Sequence, residues 1–152
     1  MIAAESKLRL LSSNIFNCRI SFNPCKLSQN EIMSRMNELP VDIDFDIKTN
    51  KEGNLFVFSK VQINNQDDAD FGYSIFASGA TLFTFMEGTD DKEKKILIGS
   101  AVNISITNLR NFICNATSYY PLGSFSFHSI DMNALFESKA KEKEKLNKPD
   151  LI

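Results

Sequence analysis

The sequence predicts an α+β fold in which a four-stranded antiparallel sheet carries helices on one face. Two observations support this prediction. Extended segments with alternating apolar residues fill much of the first half of the chain, and such segments favour strands. Helical spacing, with apolar residues in steps of three and four, runs from Ile106 to Tyr120. Strands that come first, with helices after them, favour an antiparallel sheet with the helices on one side.

Strand one is predicted from Asn14 to Asn23, after a lead-in of residues 1–13. One face of this strand is expected to carry the apolar side chains Phe16, Cys18, Ile20 and Phe22. Pro24 follows directly, and proline is disfavoured within a sheet. The first strand is therefore expected to end at Asn23.

A short helix is predicted next, because Ser28 and Glu31 have the spacing of a capping box. It is expected to run to about Glu38, ahead of Pro40. One side of it carries Ile32, Met33, Met36 and Leu39. This side is interpreted either as an ordinary core-facing side or as an adaptable contact surface, since thioethers repack around varied partners.

Strand two is predicted from Val41 to Lys48, where apolar and polar residues alternate. Its polar face carries Asp42, Asp44 and Asp46. This spacing suggests a calcium loop, but Ile47 stands where such a loop needs glycine, and Gly53 where it needs glutamate. The aspartates are therefore interpreted as a solvated sheet face, with a docking surface for a basic partner as the alternative.

Strand three is predicted from Leu55 to Ile63, and strand four from Phe71 to Phe85 with Gly79 as a candidate bulge. In strand three, Phe56 and Phe58 fall on the face opposite Leu55, Val57, Val61 and Ile63. Two phenylalanines that point away from the core need a cover. We therefore expect a subunit interface at that face.

The main helix lies in the second half of the chain. Asp90 or Asp91 is expected to cap a helical turn that runs through Ile98, and Gly99 is expected to interrupt it. The main helix is predicted to end at Tyr120–Gly123, because proline disfavours helical geometry in the residue before it.

A short extended segment and a last helix are predicted after this turn. Ser124–His128 alternates, with Phe125 and Phe127 on one side. Asp131 is the predicted N-cap of a helix whose apolar side carries Met132, Leu135 and Phe136. We expect a single domain over residues 1–136, followed by a charged helical tail over 137–152 that frays before Pro149.

Composition argues against several classes of function. The net charge of −2 does not suggest a nucleic-acid footprint. Cys18, Cys25 and Cys114 form no CxxC pair, and the chain has one histidine, so neither a metal site nor another cofactor is expected. That histidine, His128, is the only available base for a nucleophile, and no glycine-rich phosphate loop occurs. We do not expect an enzyme.

Membrane insertion and secretion are not expected either. No stretch approaches the ~20 consecutive apolar residues of a membrane helix. The first residues lack an apolar run followed by a small-residue cleavage site. The sequence predicts a cytoplasmic protein.

From Asn103 to Phe136, the order of residues resembles the SecB family of protein-export chaperones. That family opens its long helix with an asparagine, an apolar residue and a later arginine, which match Asn103–Ile104 and Arg110. A turn follows in the family, matching Pro121–Gly123, and then the motif that opens the last helix, matching Ile130–Phe136. Two positions depart from the family. Its usual proline is Val102 here, and its Phe-Pro-Tyr is Ile106–Asn108.

The resemblance implies a SecB-like holdase that binds unfolded precursor polypeptides for export. It also implies a homotetramer built as a dimer of dimers. The client groove, carried over by position, comprises Ile32, Met33, Met36, Phe125, Phe127, Ile130, Met132, Leu135 and Phe136. Strand one and the long helix would form the dimer. The predicted oligomer interface therefore adds Phe16, Arg19, Ser21, Arg110 and Ile113 to Phe56 and Phe58.

Coupling to the translocase motor SecA is the weakest implication. In the family, acidic residues flank a Ser-Phe pair on strand one and help to dock SecA. Here the pair is Ser21–Phe22, but its flanks are Arg19 and Asn23. One alternative is a dedicated SecB-like chaperone of a toxin–antitoxin system, or of another single client, without SecA. A second alternative is a homo-oligomeric structural protein without chaperone activity.

Overall fold

The computed structural model describes residues 1–65 and 67–146. These residues form four strands and three helices: β1 (Leu8–Asn23), α1 (Gln29–Glu38), β2 (Val41–Thr49), β3 (Leu55–Ile63), β4 (Gly72–Phe85), α2 (Asp91–Thr117) and α3 (Met132–Leu146). The strands pair antiparallel in the order β1-β4-β3-β2. The predicted α+β fold with an antiparallel sheet is thus confirmed. Within the described residues, no helix is long and apolar enough to cross a membrane.

Alternation along the strands divides the sheet into two faces. On the core face, Val57, Val61, Ile75 and Phe83 are completely buried. Helix α2 covers this face with Ile106, Leu109 and Ile113, whose spacing places them on one side of the helix. We call the opposite side, which carries Phe56, Phe58, Phe76 and Leu82, the open face.

Helix α1 also packs on the core face. The predicted capping box is present, since the Ser28 hydroxyl accepts from the Glu31 N–H and the Glu31 carboxylate accepts from the Ser28 N–H. Ile32 and Met36 are buried against the start of β4. Gly72 permits this approach: its φ is +63°, and a Cβ there would lie 2.7 Å from the Met36 sulfur.

The predicted start of strand one was wrong, because β1 begins at Leu8 and pairs with β4 along its whole length. The sequence hides this half of the strand because the register shifts twice, between Leu10 and Ser12 and between Ile15 and Asn17. Each shift breaks the two-residue alternation. The second shift also shows that the predicted position of Phe16 was wrong, because Phe16 does not lie on the inward face of strand one. Its side chain is 65% exposed, while Ile15 packs against the core.

The predicted interruption at Gly99 was also wrong. Asp90 caps a continuous α2 through a second capping box with Glu93, and the helix runs through Gly99 to Thr117. A glycine inside a helix costs about 1 kcal/mol relative to alanine. Packing on both sides of Gly99 offsets this, since Leu97 and Ile98 pack against the core and Ala101 and Val102 are fully buried.

After α2, the chain crosses the core in an extended conformation. The Tyr73 hydroxyl donates to the Gly123 carbonyl at 2.8 Å and accepts from the Leu122 N–H at 3.0 Å. The Thr117 hydroxyl accepts from the Phe125 N–H at 2.8 Å. These bonds hold the segment that follows, residues 124–131, against the sheet.

Helix α3 begins after Asp131, whose carboxylate accepts from the Ala134 N–H at 3.1 Å, as predicted for its N-cap. The helix continues through the predicted domain boundary at residue 136. The rest of the predicted tail, residues 147–152 with Pro149, lies outside the described residues.

Candidate functional site

A concavity of about 140 Å³ opens where α1 ends. Leu39 caps α1 in an extended conformation, and Pro40 turns the chain into β2 at Val41. The opposite wall is the extended segment 124–131. The concavity is lined by Met36, Asn37, Leu39, Val41, Phe125, Ser126, Phe127 and His128, and we call it the α1 groove.

The floor of the α1 groove is apolar and fixed. Met36, Phe125 and Phe127 are each no more than 3% exposed. Leu39 and Val41, which form the rim, are half-buried. His128 stands exposed at one end, with its Nδ1 3.0 Å from the Ser129 carbonyl oxygen. The groove therefore offers an apolar surface with a polarizable thioether in its floor, which suits apolar side chains of varied shape.

Beyond the α1 groove, apolar side chains of β2 continue as far as α3. Phe45 makes an edge-to-face contact with Phe136, with ring centroids 5.2 Å apart. Ile43 and Leu135 border a smaller gap of about 30 Å³ beside this ring pair. The residues from Leu39 to Phe45 thus connect the α1 groove to the helix that covers the other end of β2.

An ion pair fixes α3 beside this apolar surface. The Lys139 Nζ lies 2.5 Å from an Asp44 carboxylate oxygen, and Lys60 approaches the other oxygen at 3.7 Å. Burial works against the charge of Asp44, but the hydrogen bond and charge of Lys139 outweigh it, so the pKa of that carboxyl is lowered. The hydrogen bond to Asp44 raises the pKa of Lys139. Asp44 is therefore half-buried and paired, whereas Asp42 and Asp46 are exposed, as expected for a solvated aspartate face.

Two backbone N–H groups on the exposed edge of β2 are already hydrogen-bonded to aspartate side chains of the same strand. The Asp44 carboxylate accepts from the Phe45 N–H at 2.9 Å, and the Asp46 carboxylate accepts from the Ile47 N–H at 3.0 Å. An edge strand presents unpaired backbone groups that another chain can bind. Side-chain capping at these two positions leaves the Val41 end of the strand, beside the α1 groove, as the more accessible part of the edge.

The structure divides the predicted groove residues into two groups. Ile32, Met36, Phe125 and Phe127 lie in the hydrophobic core, and three of them form the floor of the α1 groove. The half-buried group comprises Met33, Ile130, Met132, Leu135 and Phe136. Sequence reasoning missed Val41 and His128 and assigned Leu39 only to the helix. The signal for Leu39 and Val41 was their position on either side of Pro40, directly after the methionines.

The predicted interface residues lie on two elements besides β3. Phe16, Arg19 and Ser21 are exposed on β1. On α2, Ile113 is completely buried in the core, while Arg110 is half-buried with its guanidinium 3.5 Å from the Ser129 hydroxyl. The assignment of these residues to an oligomer interface stays a prediction.

No family model matches the sequence, and no curated protein matches it in sequence. Solved structures are similar in fold. The SecB-like chaperone Rv1957 of Mycobacterium tuberculosis, in complex with a ChAD peptide from the Rv1956 HigA1 antitoxin, aligns with a TM-score of 0.52. The two sequences are 12% identical over 82% of this chain and 88% of that chain. A protein of unknown function from Streptococcus agalactiae aligns with a TM-score of 0.40 and 9% identity, over 83% of this chain and 100% of that chain.

The likeness to Rv1957 defines the class of fold. The chain has the SecB-like fold: the antiparallel sheet, the long helix α2 and the C-terminal helix α3. The resemblance seen between Asn103 and Phe136 is thus confirmed at the level of the fold.

Proposed function

We propose that this protein is a SecB-like molecular chaperone, a holdase that binds non-native polypeptides. The observation that carries the proposal is the α1 groove, an apolar concavity that opens beside the accessible end of an edge strand. A fold shared with a SecB-like chaperone that binds a peptide supports it. The protein acts by binding, without catalysis or a cofactor, in the cytoplasm and as a homotetramer.

The size of the α1 groove restricts what can bind there. A concavity of about 140 Å³ takes apolar side chains of an extended segment one or two at a time. The backbone of that segment can pair with the β2 edge near Val41, which adds hydrogen bonds that do not depend on sequence. Folded proteins bury their apolar side chains and pair their backbone groups, so this site selects unfolded chains.

The accessible part of the site extends from the α1 groove along the residues that α3 leaves half-buried. Leu39 and Met132 are both half-buried, and one lies at the groove rim while the other opens α3. A client that occupies the rim can continue along β2 towards Leu135 and Phe136, which are also half-buried. Client length is therefore expected to increase affinity beyond what the groove alone supplies.

The test is binding of a reduced, carboxymethylated protein that cannot refold. Leu39→Asp combined with Met132→Asp should weaken this binding by about tenfold or more, because each change places a charge on apolar surface. Leu146→Asp is the matched control, since Leu146 is 84% exposed at the end of α3. Wild-type protein that fails to bind the unfolded chain, or a double variant that binds as well as the control, would contradict the proposal.

Two classes of client are compatible with the site: precursor polypeptides destined for export, and a single dedicated client. Export of precursor polypeptides would require coupling to SecA, and the flanks of Ser21–Phe22 are Arg19 and Asn23 instead of acidic residues. A dedicated client is favoured by the similarity to a chaperone seen with an antitoxin peptide. Binding of several unrelated unfolded proteins together with SecA would support export. Strong preference for one client without SecA binding would support the dedicated chaperone.

A further inference from the structure

The wall of the α1 groove that residues 124–131 form has few hydrogen bonds of its own. Among the described residues, the backbone of residues 124–130 bonds to no other backbone group. Such a segment lacks the regular bonds that fix a helix or a strand. Near its far end, the Arg110 guanidinium reaches the Ser129 hydroxyl at 3.5 Å, which is long for a hydrogen bond. The position of this wall therefore depends on the packing of its phenylalanines and on the hydroxyl groups that bind its start.

Tyr73 supplies the first of these hydroxyl groups, from the start of β4. The hydroxyl binds the turn before the wall from two sides, through the Gly123 carbonyl at 2.8 Å and the Leu122 N–H at 3.0 Å. Burial raises the pKa of Tyr73, so the hydroxyl keeps its proton and donates at neutral pH. Three rings contact the buried Tyr73 ring edge to face, with centroids 5.9 to 6.4 Å away: Phe22, Tyr120 and Phe125. These contacts fix where the hydroxyl lies.

Thr117 supplies the second hydroxyl group, from the last turn of α2. Its side chain is completely buried, and its hydroxyl donates to the Ile113 carbonyl at 2.7 Å. The same oxygen accepts from the Phe125 N–H at 2.8 Å, because a hydroxyl has lone pairs left when its proton is used. Phe125 is 2% exposed, and its N–H has no backbone partner among the described residues. Without Thr117, this buried donor would lose its bond.

The residue before Tyr73 fixes the opposite side of the groove. Gly72 lets α1 approach so closely that a Cβ there would lie 2.7 Å from the Met36 sulfur. Two side-chain amides hold this stretch of β4 in place. That of Asn23 donates to the Gly72 carbonyl at 3.1 Å. That of Asn64 donates to the Tyr73 carbonyl at 2.9 Å. Two consecutive residues of one strand thus hold both sides of the α1 groove.

We propose that Tyr73 and Thr117 are positioning residues of the α1 groove, which keep its wall in place before a client arrives. This inference rests on the chaperone function proposed above. Neither side chain lines the groove, so each acts through the wall and not by contact with the client. A site that is formed for part of the time binds with a dissociation constant raised by the inverse of the formed fraction. Loss of either hydroxyl should therefore lower client affinity, mainly through slower association.

The first test removes one hydroxyl and keeps its ring. Tyr73→Phe should lower the affinity for a reduced, carboxymethylated protein by about tenfold, because both bonds to the turn are lost. Tyr120→Phe is the matched control. It also keeps its ring, and its hydroxyl donates to the Ile20 carbonyl at 3.1 Å, where neither residue lines the α1 groove. Its affinity should stay within about twofold of the wild type.

Both affinities are measured at a temperature at which circular dichroism shows every variant to be folded. Lost stability then does not appear as lost affinity. An equal fall in both variants, or no fall in Tyr73→Phe, would overturn the proposal.

The second test uses a conservative variant at Thr117. Thr117→Val keeps the shape of the side chain but removes the acceptor of the Phe125 N–H, so it should weaken binding about tenfold. Thr117→Ser keeps a hydroxyl and should bind within about threefold of the wild type. Wild-type affinity in Thr117→Val, or a Thr117→Ser variant as weak as Thr117→Val, would contradict a role for the hydroxyl.

A third measurement needs no client and separates this inference from the proposed function. Backbone ¹⁵N order parameters of residues 126–130 should be about 0.85 in the wild type and below about 0.6 in Tyr73→Phe and Thr117→Val. Tyr120→Phe should keep the wild-type values. Order parameters that stay high in both test variants would refute the positioning role. If they fall as expected but the wild type binds no unfolded chain, the positioning of the wall is supported and the proposed function fails.

Discussion

The two faces of the sheet are built by the same strands, yet their side chains are buried to different degrees. Along β3, Val57 and Val61 are completely buried beneath α2, while Phe56 and Phe58 alternate with this buried series and stay half-exposed. The chain has thirteen phenylalanines, and several of the largest apolar side chains lie on the face that the helices do not cover. The core face accounts for the stability of the single chain, and the open face carries apolar surface beyond what its folding requires.

The largest effect is expected when a phenylalanine is replaced by alanine on the core face, and the same replacement on the open face provides the comparison. Phe83→Ala on the core face should lower the free energy of unfolding by about 3–5 kcal/mol, because it leaves a cavity under α2. Phe56→Ala on the open face should cost less than about 1.5 kcal/mol, since its ring is already partly in water. Urea unfolding at several protein concentrations measures both values and separates chain stability from association. Equal losses for the two variants would contradict the division between the faces.

A smaller effect is expected where α1 meets the core face. Gly72→Ala should lower the free energy of unfolding by roughly 1–3 kcal/mol, because a Cβ would collide with the Met36 side chain and φ is +63°. Gly53→Ala is the matched control, since φ there is +82° but nothing lies within 4 Å of the new Cβ. The control reports backbone strain alone, which costs about 1 kcal/mol. A Gly53→Ala loss as large as that of Gly72→Ala would show that the contact with α1 contributes nothing.

The core face could be predicted from the sequence because each of its signals is local. The capping box at Ser28 located α1, and strict alternation located β2 and β3. Helical spacing after Asn103 located the buried side of α2. The first half of β1 could not be found, because two register shifts remove the alternation that marks a strand.

The candidate site was predicted less completely, because the α1 groove forms only where α1, the start of β2 and residues 124–131 meet in three dimensions. Phe125 and Phe127 were assigned to a client surface, but the hydrogen bond from Phe125 to Thr117 holds them in the core as the floor of the α1 groove. Leu39 and Val41 form the rim through a turn at Pro40 whose direction no periodicity encodes. Phe16 is exposed beside the register shift between Ile15 and Asn17, and a sequence alone does not show where such a shift lies.

The smallest expected effect concerns the ion pair that joins the open face to α3. Asp44→Asn should lower the free energy of unfolding by less than about 1 kcal/mol, since Asp44 and Lys139 keep contact with water. Asp46→Asn is the matched control: it removes a neighbouring charge but leaves the ion pairs of Lys139 with Asp44 and Glu142 in place. Amide exchange across α3 should accelerate in Asp44→Asn and stay unchanged in Asp46→Asn.

The pH dependence of this pair follows from the lowered pKa of Asp44. A carboxyl whose pKa is lower in the folded state stabilises the fold above its unfolded value, about 3.9, and loses that contribution as pH falls through the folded value. The protection of the α3 amides in the wild type, corrected for the intrinsic exchange rate at each pH, should therefore fall in acid below about pH 4, while Asp44→Asn, already less protected, should show a weaker acid response. An identical acid response in both proteins would mean that the contacts of Phe136 with Phe45, and not the charges, hold α3 beside the open face.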